Sequence, residues 1–164
     1  MIIYLKNKDT LQVDNFEFKC CIGKNGLSKN KIEGDYKTPI GLFNLGHLYF
    51  RKDKTNKLNS KLKKILIKKN MGWCNDVTNK KKYNKLIKSN NKIKHEKLFR
   101  KDYKYDLLIP VEYNYYKPKL GKGSCIFIHL TNNYKPTAGC IALKRNDFLI
   151  MLMLINKKTK IKIS

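Results

Sequence analysis

A chain of 164 residues, 41% of them hydrophobic, is long enough to form a folded domain with one hydrophobic core. This composition excludes a wholly disordered chain. The net charge is +25, but of the 37 basic residues only Arg51, Arg100 and Arg145 are arginines. Because specific recognition of phosphates and base edges depends strongly on arginine, the charge does not by itself indicate a specific nucleic-acid binder. We predict a single domain over residues 1–164.

Short strands dominate the prediction for the N-terminal third. Residues 2–5, 11–13 and 16–22 are rich in apolar and β-branched residues, and Asp14-Asn15 marks a hairpin turn between the last two segments. Residues 38–50 resume this pattern, with Pro39 acceptable at the start of a strand. Together these segments predict a meander of short strands, which is typical of a β-sandwich or a partly open barrel.

The next segment, residues 51–70, is dominated by lysine and asparagine. Its apolar residues recur at nearly helical spacing and are Leu58, Leu62, Ile65 and Leu66. We expect a solvated surface excursion with a short helix. We interpret residues 51–104 as a lysine-rich insertion or capping segment.

Residues 71–106 contain a second group of reactive side chains. Cys74 follows Trp73, and His95 lies about twenty residues further on. Cys74 and His95 form one possible catalytic pair. The alternative is that Trp73 is a core anchor and His95 a surface residue.

The C-terminal part returns to strands and adds a helix. Residues 105–111 predict a strand that ends at Pro110, and a later strand carries His129. Asn146 or Asp147 can cap a helix that runs to about Asn156, and residues 159–163 alternate as a closing strand. The predicted fold class is therefore mainly β with one or two helices.

A thiol and an imidazole frame the most informative stretch of the chain. Four apolar residues, Cys-Ile-Phe-Ile at 125–128, precede His129 and are typical of a strand. A loop containing Pro136 follows, and Gly139-Cys140 leads into another apolar run. A neighbouring histidine can activate a cysteine by taking its proton or by stabilising the thiolate. The backbone N–H groups of Gly139 and Cys140 could hold an oxyanion, since Gly139 has no Cβ to block a substrate. The alternative is that Cys140 is a small buried hydrophobe.

The five cysteines do not indicate a metal site. An odd number cannot pair completely within one molecule, and the chain has no Cys-x-x-Cys motif. We expect no metal and no organic cofactor. The apolar run at the N-terminus is too short for a signal peptide, and residues 148–155 are too short to cross a bilayer. From these features alone we expect a cytoplasmic protein without a membrane span.

Two distant motifs resemble one enzyme family. Thr137-Ala138-Gly139-Cys140-Ile141, downstream of His129, resembles the Ser/Thr-x-Gly-Cys-hydrophobic signature of the L,D-transpeptidase (YkuD-type) family. Residues 33–43, Glu-Gly-Asp-Tyr-Lys-Thr-Pro-Ile-Gly-Leu-Phe, resemble its Gly-Asp-x-x-Thr-Pro-x-Gly-x-Phe segment. A short subgroup without a signal peptide is similar in three further segments, which are here Trp73-Cys74, Tyr83-Asn84 and His95-Glu96-Lys97-Leu98. The resemblance covers most of the chain.

The resemblance implies a fold and a reaction. The fold would be an L,D-transpeptidase-like β-sandwich or open barrel with a capping segment. Cys140 would attack the carbonyl of the third residue of a peptidoglycan tetrapeptide stem and expel the terminal D-alanine, leaving a thioester, while His129 serves as general base and then acid. Thr137, Trp73, His95 and Arg100 would line the substrate cleft. Arg100 would clamp a carboxylate in place of the arginine that the family often has where this chain has Ala142.

Several alternatives stay open at this point. An amine of a second stem would complete a transpeptidation, whereas water would make the protein an L,D-carboxypeptidase on the same stems. The family's substrate lies outside the inner membrane, which conflicts with the cytoplasmic prediction. A different class of function is a non-enzymatic basic module that binds nucleic acid or a cell-wall polymer and in which Cys140 is inert. The sequence predicts neither the acceptor nor the oligomeric state.

Overall fold

The computed structural model describes residues 1–55 and 57–164. In these ranges the chain forms fifteen strands and one helix. The strands are β1 (Ile2–Lys6), β2 (Thr10–Val13), β3 (Phe16–Cys21), β4 (Leu27–Ser28), β5 (Thr38–Pro39), β6 (Gly41–Asn44), β7 (Leu48–Phe50), β8 (Lys64–Leu66), β9 (Met71–Cys74), β10 (Leu86–Lys88), β11 (His95–Lys97), β12 (Leu107–Pro110), β13 (Phe127–Leu130), β14 (Ile141–Leu143) and β15 (Lys160–Ile163). The helix is α1 (Arg145–Leu154).

Ten strands form one curled sheet in the order β6-β15-β1-β2-β3-β14-β13-β12-β7-β8. The chain just after β6 returns to the end of β12, where Leu45 and Val111 form an antiparallel bridge. On either side of it, Gly46 N–H donates to Pro110 O at 2.8 Å and Glu112 N–H donates to Asn44 O at 2.9 Å. The first eight strands of this order, β6 at one end and β12 at the other, therefore form a partly closed barrel. The predicted mainly β fold is confirmed.

The main core lies on the inner face of this sheet. In β1 the buried residues Ile3 and Leu5 alternate with more exposed ones, whereas every residue of β12, β13 and β14 is buried. Helix α1 packs against β13 and buries Phe148, Met151 and Leu152. Each such side chain stabilises the fold by roughly 1.5–3 kcal/mol. The strand that carries His129 is therefore supported from behind by the helix.

Two local predictions are wrong. Residues 51–70 contain no helix in their described part. Instead β8 pairs in parallel with β7 at the edge of the large sheet. The apolar residues do not share one face, because Leu62 is buried whereas Leu66 is exposed, and an open sheet edge outweighs helical spacing. Helix α1 begins after Lys144 rather than at Asn146 or Asp147, and no side chain caps it.

The segment predicted to cap the domain contributes to two sheets. β8 joins the large sheet, whereas β10, β9 and β11 form a separate three-stranded sheet in that order. Trp73 of β9 fixes this small sheet to the outer face of the large one, since its ring packs edge-on against Phe127 at 5.3 Å and Tyr49 at 6.1 Å between centroids. In the described ranges no helix is long and apolar enough to cross a membrane.

Candidate active site

Cys140 and His129 lie on neighbouring parallel strands. In the pairing of β13 with β14, Ile128 is opposite Ile141 and His129 is opposite Ala142. Cys140 immediately precedes β14, and Phe127 N–H donates to its Sγ at 3.4 Å. Because alternate residues of a strand share a face, Cys140 and His129 lie on the same face of the sheet, two residues apart along the strand direction.

A tight turn before β14 positions the thiol. Gly139 has φ +141°, and a Cβ at this position would lie 2.8 Å from Lys37 O. Thr137 Oγ1 donates to Cys140 O at 2.6 Å and accepts Gly139 N–H at 3.1 Å. Thr38 Oγ1 donates to Gly139 O at 2.9 Å. The two sequence motifs, about a hundred residues apart, therefore meet at the turn that precedes Cys140.

The Cys140 thiol is neutral at rest. It is 8% exposed, and its Sγ–H donates to Cys125 O at 3.1 Å. Burial raises the pKa of the Cys140 thiol to about 12, and the Phe127 N–H offsets this only in part. A thiol in this environment reacts only if a base removes its proton as the substrate is attacked.

His129 has the protonation state that such a base needs. Its Nδ1–H donates to Leu130 O at 2.9 Å, which leaves Nε2 as the acceptor nitrogen. Burial lowers the pKa of the His129 ring to about 4, so the imidazole is neutral at physiological pH. The ring packs edge-on against Tyr105 at 5.2 Å between centroids. Among the described residues, His129 and Cys140 share no hydrogen bond, since the resting thiol is turned toward Cys125.

Both side chains face one cavity of about 730 Å³. The large sheet and its loops supply one wall, which includes Thr137, Ala138 and Ala142. The loop before β5 and the small sheet supply the opposite walls. Lysines are frequent around the mouth, and those without an ion pair in the described ranges are Lys94, Lys104 and Lys135. The cavity is large enough for a peptide segment and attracts anionic groups.

The structure brings only some of the predicted cleft residues to this cavity. Thr137 and Arg100 line it, whereas Trp73 and His95 are not among its lining residues. Trp73 is 2% exposed, and its Nε1–H donates to Asn84 Oδ1 at 3.0 Å. The Trp73 ring therefore has a structural role as a core anchor.

Arg100 is not free to clamp a ligand carboxylate. Its Nε and Nη2 donate to both carboxylate oxygens of Asp102, at 3.0 and 2.7 Å, and its Nη1 donates to Glu96 Oε1 at 3.1 Å. Tyr105 OH donates to the same Glu96 oxygen at 3.0 Å. Arg100 thus holds the cavity wall next to Tyr105, which in turn contacts His129.

The second cysteine–histidine pair is also adjacent but has a different environment. His95 lies directly opposite Cys74 in the pairing of β11 with β9. Cys74 is fully buried, and both His95 nitrogens are engaged, Nδ1 by Ile93 O and Nε2 by Ser89 Oγ, each at 2.6 Å. The ring packs over Gly72, where a Cβ would lie 2.4 Å from His95 Cδ2.

Sequence reasoning missed several lining residues. Tyr105, Lys31, Glu33 and Lys135 all face the cavity. The position of Lys31 and Glu33 directly before Gly34-Asp35 of the upstream motif was a usable signal, because that motif leads toward the cleft. Within residues 1–55 and 57–164 no group of three or more histidine, cysteine, aspartate or glutamate side chains is arranged to hold a metal ion.

Comparison with known proteins identifies one family. The family model described as the L,D-transpeptidase catalytic domain, YkuD, matches residues 1–163. The crystal structure of the helical cell shape determining protein Pgp2 from Campylobacter jejuni is similar in fold, with a TM-score of 0.54 and 20% sequence identity. The similarity covers 99% of this chain and 46% of that one, so this chain spans about half the length of that protein. No curated protein sequence matches the chain significantly.

Proposed function

Because the chain belongs to the L,D-transpeptidase catalytic domain (YkuD) family, we propose that it is a cysteine acyltransferase acting on the peptide stems of peptidoglycan. Cys140 is the nucleophile and His129 the general base in this proposal. The product is a cross-link when an amine of a second stem accepts the acyl group. Water as the acceptor would give L,D-carboxypeptidase activity at the same site.

One observation carries the proposal, namely the environment of the Cys140 and His129 side chains. They share a face on adjacent strands, border one cavity, and are both neutral at rest. The free Nε2 of His129 can accept a proton, because Nδ1–H is committed to Leu130 O. A neutral thiol and a neutral base are the starting point for general-base activation of a nucleophile.

The first half of the reaction forms a thioester. The Sγ–H bond to Cys125 O breaks, and the thiol proton moves to His129 Nε2 as Sγ bonds to the substrate carbonyl carbon. Collapse of the tetrahedral intermediate breaks the C–N bond to the terminal D-alanine. The proton on His129 passes to the departing amine, which leaves as free D-alanine.

The second half repeats these steps in reverse order. The acceptor amine gives a proton to His129 Nε2 as its nitrogen attacks the thioester carbon. The C–S bond then breaks, and the proton returns to Sγ, which regenerates the neutral thiol. In each half the negative charge on the carbonyl oxygen falls near Gly139 and Cys140. At rest Gly139 N–H is held by Thr137 Oγ1, so Cys140 N–H is the backbone donor that we assign to the oxyanion.

The lysines at the cavity mouth support binding of an acidic peptide. Peptidoglycan stems carry several carboxylates, and Lys104 and Lys135 line the cavity without an ion pair in the described ranges. We assign carboxylate binding to these two ammonium groups rather than to Arg100, whose guanidinium is already paired with Asp102 and Glu96. The resulting attraction weakens with added salt.

The direct test is incubation of the purified protein with defined tetrapeptide muropeptides. We expect release of D-alanine, with formation of cross-linked dimers if a stem is the acceptor, or of tripeptides if water is. The Cys140→Ala variant should give neither product. Equal product formation by Cys140→Ala, or no product and no thioester with the wild-type protein, would contradict the proposal.

A further inference from the structure

We propose that the buried ammonium group of Lys31 stabilises the negative charge that forms on Cys140 Sγ and on the substrate carbonyl oxygen during acyl transfer. This inference rests on the proposed function for its substrate. The role of Lys31 toward the thiol itself can be tested without that substrate. Neither motif used to identify the site includes this lysine.

Lys31 is an unusual lysine, because its whole side chain is enclosed. The residue is 4% exposed, although it belongs to a chain of net charge +25 in which most lysines are solvated. Its Nζ donates to Asp35 Oδ1 at 2.6 Å. Enclosing an ammonium group costs free energy even when it is paired. Simple solubility does not account for a lysine in this place.

A dedicated turn holds the counter-charge of Lys31. Asp35 accepts the N–H groups of Ile32 and Lys37, each at 2.9 Å, and these bonds together with Lys31 lower the pKa of the Asp35 carboxyl. Gly34 makes the turn possible with φ +79°. The ammonium is therefore fixed in direction by a carboxylate that is itself fixed by the backbone.

Two glycines let the Lys31 side chain reach the turn that precedes Cys140. A Cβ on Gly123 would lie 2.9–3.0 Å from Cγ, Cδ and Cε of Lys31, so only glycine leaves room for the aliphatic part of this side chain. A Cβ on Gly139 would lie 3.4 Å from Lys31 Nζ. The ammonium thus lies beside the residue that immediately precedes Cys140, and it lines the same cavity.

The groups nearest the thiol supply little positive charge of their own, and the lysines Lys94, Lys104 and Lys135 lie at the cavity mouth. His129 is neutral at rest, and Gly139 N–H is committed to Thr137 Oγ1. Lys31 is the cation that lowers the pKa of the Cys140 thiol against the larger effect of burial. In a site of low dielectric constant a fixed charge acts more strongly on a developing anion than it would in water.

Other titratable groups also act on the thiol and set the background for any pH measurement. Glu96 and Cys21 raise the pKa of the Cys140 thiol. Burial, and to a smaller extent Cys140, raises the pKa of Tyr105 and of Cys125, which lie in the chain just before β12 and just before β13. All of these groups are unchanged in the variants proposed next, so differences between variants report on Lys31.

The test compares Lys31→Met with Lys31→Arg and with Lys24→Met. Lys24 is exposed and lies outside the cavity lining, so its substitution removes the same charge without touching the site. The measurement is the rate of Cys140 alkylation by iodoacetamide from neutral to mildly alkaline pH, resolved by peptide mass spectrometry. We expect about a tenfold fall for Lys31→Met, which corresponds to a thiol pKa about one unit higher. Lys31→Arg should recover most of the rate, and Lys24→Met should not differ from wild type.

A further variant keeps the inference testable if Lys31→Met does not fold. Asp35→Asn removes the counter-charge and leaves the ammonium, so it should speed Cys140 alkylation, the opposite of Lys31→Met. A folded Lys31→Met protein with the wild-type alkylation rate would overturn the inference, and so would an unchanged or slower rate in Asp35→Asn. Failure of the wild-type protein to release D-alanine from tetrapeptides would count against the proposed function instead, because the alkylation series does not depend on that substrate.

Discussion

The two cysteine–histidine pairs of this protein lie on adjacent strands, yet only one has the environment of a catalytic pair. Cys74 and His95 are directly opposite one another in the small sheet, a closer strand register than that of Cys140 and His129. The small-sheet imidazole has both nitrogens engaged, and its thiol is fully buried. The large-sheet imidazole keeps Nε2 free, and both of its groups border the cavity.

The difference shows that proximity is a weak criterion for a nucleophile. A base needs an unengaged lone pair, and a nucleophile needs a path to a substrate. The second pair meets neither requirement and instead holds the small sheet together through His95. Substitutions in the two pairs, and in the contact between their sheets, should therefore have different effects.

The largest expected effect is on covalent labelling of the thiols. A carbapenem should acylate the wild-type protein once, and Cys140→Ala should abolish the adduct, because only this thiol has a free base on the neighbouring strand. Cys74→Ala should keep the adduct and lose only stability, since it removes a buried sulfur. Intact-protein mass spectrometry measures both. An adduct that persists in Cys140→Ala and disappears in Cys74→Ala would reverse the assignment of the two pairs.

Substitution of the two histidines should likewise have different effects on rate and on stability. We expect His129→Gln to slow D-alanine release by about 10²- to 10⁴-fold, the usual contribution of a general base. His95→Gln should change this rate little and should reduce stability by about 1–2 kcal/mol, because hydrogen bonds to Ser89 and Ile93 are weakened. Rate assays and urea unfolding on the two variants provide the comparison. Similar rate losses in both would mean that the small sheet takes part in the chemistry.

The contact between the two sheets depends on Asn84. This buried amide accepts Trp73 Nε1–H at 3.0 Å and Cys125 N–H at 3.1 Å, and it donates to Tyr113 O and Asn114 O at 3.1 and 2.7 Å. Asn84→Ala leaves these groups without their partner, so we expect a loss of about 3 kcal/mol in the free energy of unfolding. Urea denaturation gives this value.

A matched control for Asn84→Ala is available on the surface. Asn91 is exposed, and its substitution by alanine should alter stability by less than about 0.5 kcal/mol. If Asn84→Ala were equally mild, the small sheet would not be fixed to the large one through this amide.

The last comparison concerns the pH dependence of stability. The pKa of His129 is lowered by burial to about 4 from an ordinary value of 6.5, so the unfolded chain binds more protons than the folded one between these values. Stability from this group is complete above pH 6.5 and is lost as pH falls toward 4, by on the order of 2–3 kcal/mol. Urea unfolding over this range measures the slope. His129→Gln should flatten it, and an identical slope in that variant would assign the pH dependence to other groups.

Much of the fold could be predicted from the sequence, because strand alternation and turn residues act locally. The hairpin at Asp14 and the closing strand β15 are examples, and the family resemblance drawn from the two motifs is confirmed. The short helix in residues 51–70 is not found in their described part, because pairing of β8 with the open edge of β7 is a tertiary contact that spacing does not reveal.

The site was less predictable than the fold. Cys140 and His129 follow from motif and strand pattern, and their catalytic roles stay predictions. The cleft residues did not follow, because lining a cavity depends on which face of a segment meets another segment. Trp73 faces the core, and Arg100 is paired with nearby acids. Tyr105 reaches the cavity from a distant part of the chain, and no local pattern marks it, whereas the place of Lys31 just before the upstream motif was the one signal available for that residue.

The hydrogen bond from the Cys140 thiol to Cys125 O also bears on the chemical durability of this side chain. Peroxides and adventitious electrophiles attack the thiolate, and with a thiol pKa of about 12 only about one molecule in 10⁵ carries it at neutral pH. The sulfur of the resting protein is thereby shielded from oxidative damage. In the proposed reaction His129 takes the thiol proton only as a substrate is attacked, so chemical durability and reactivity toward a bound peptide need not conflict in this protein.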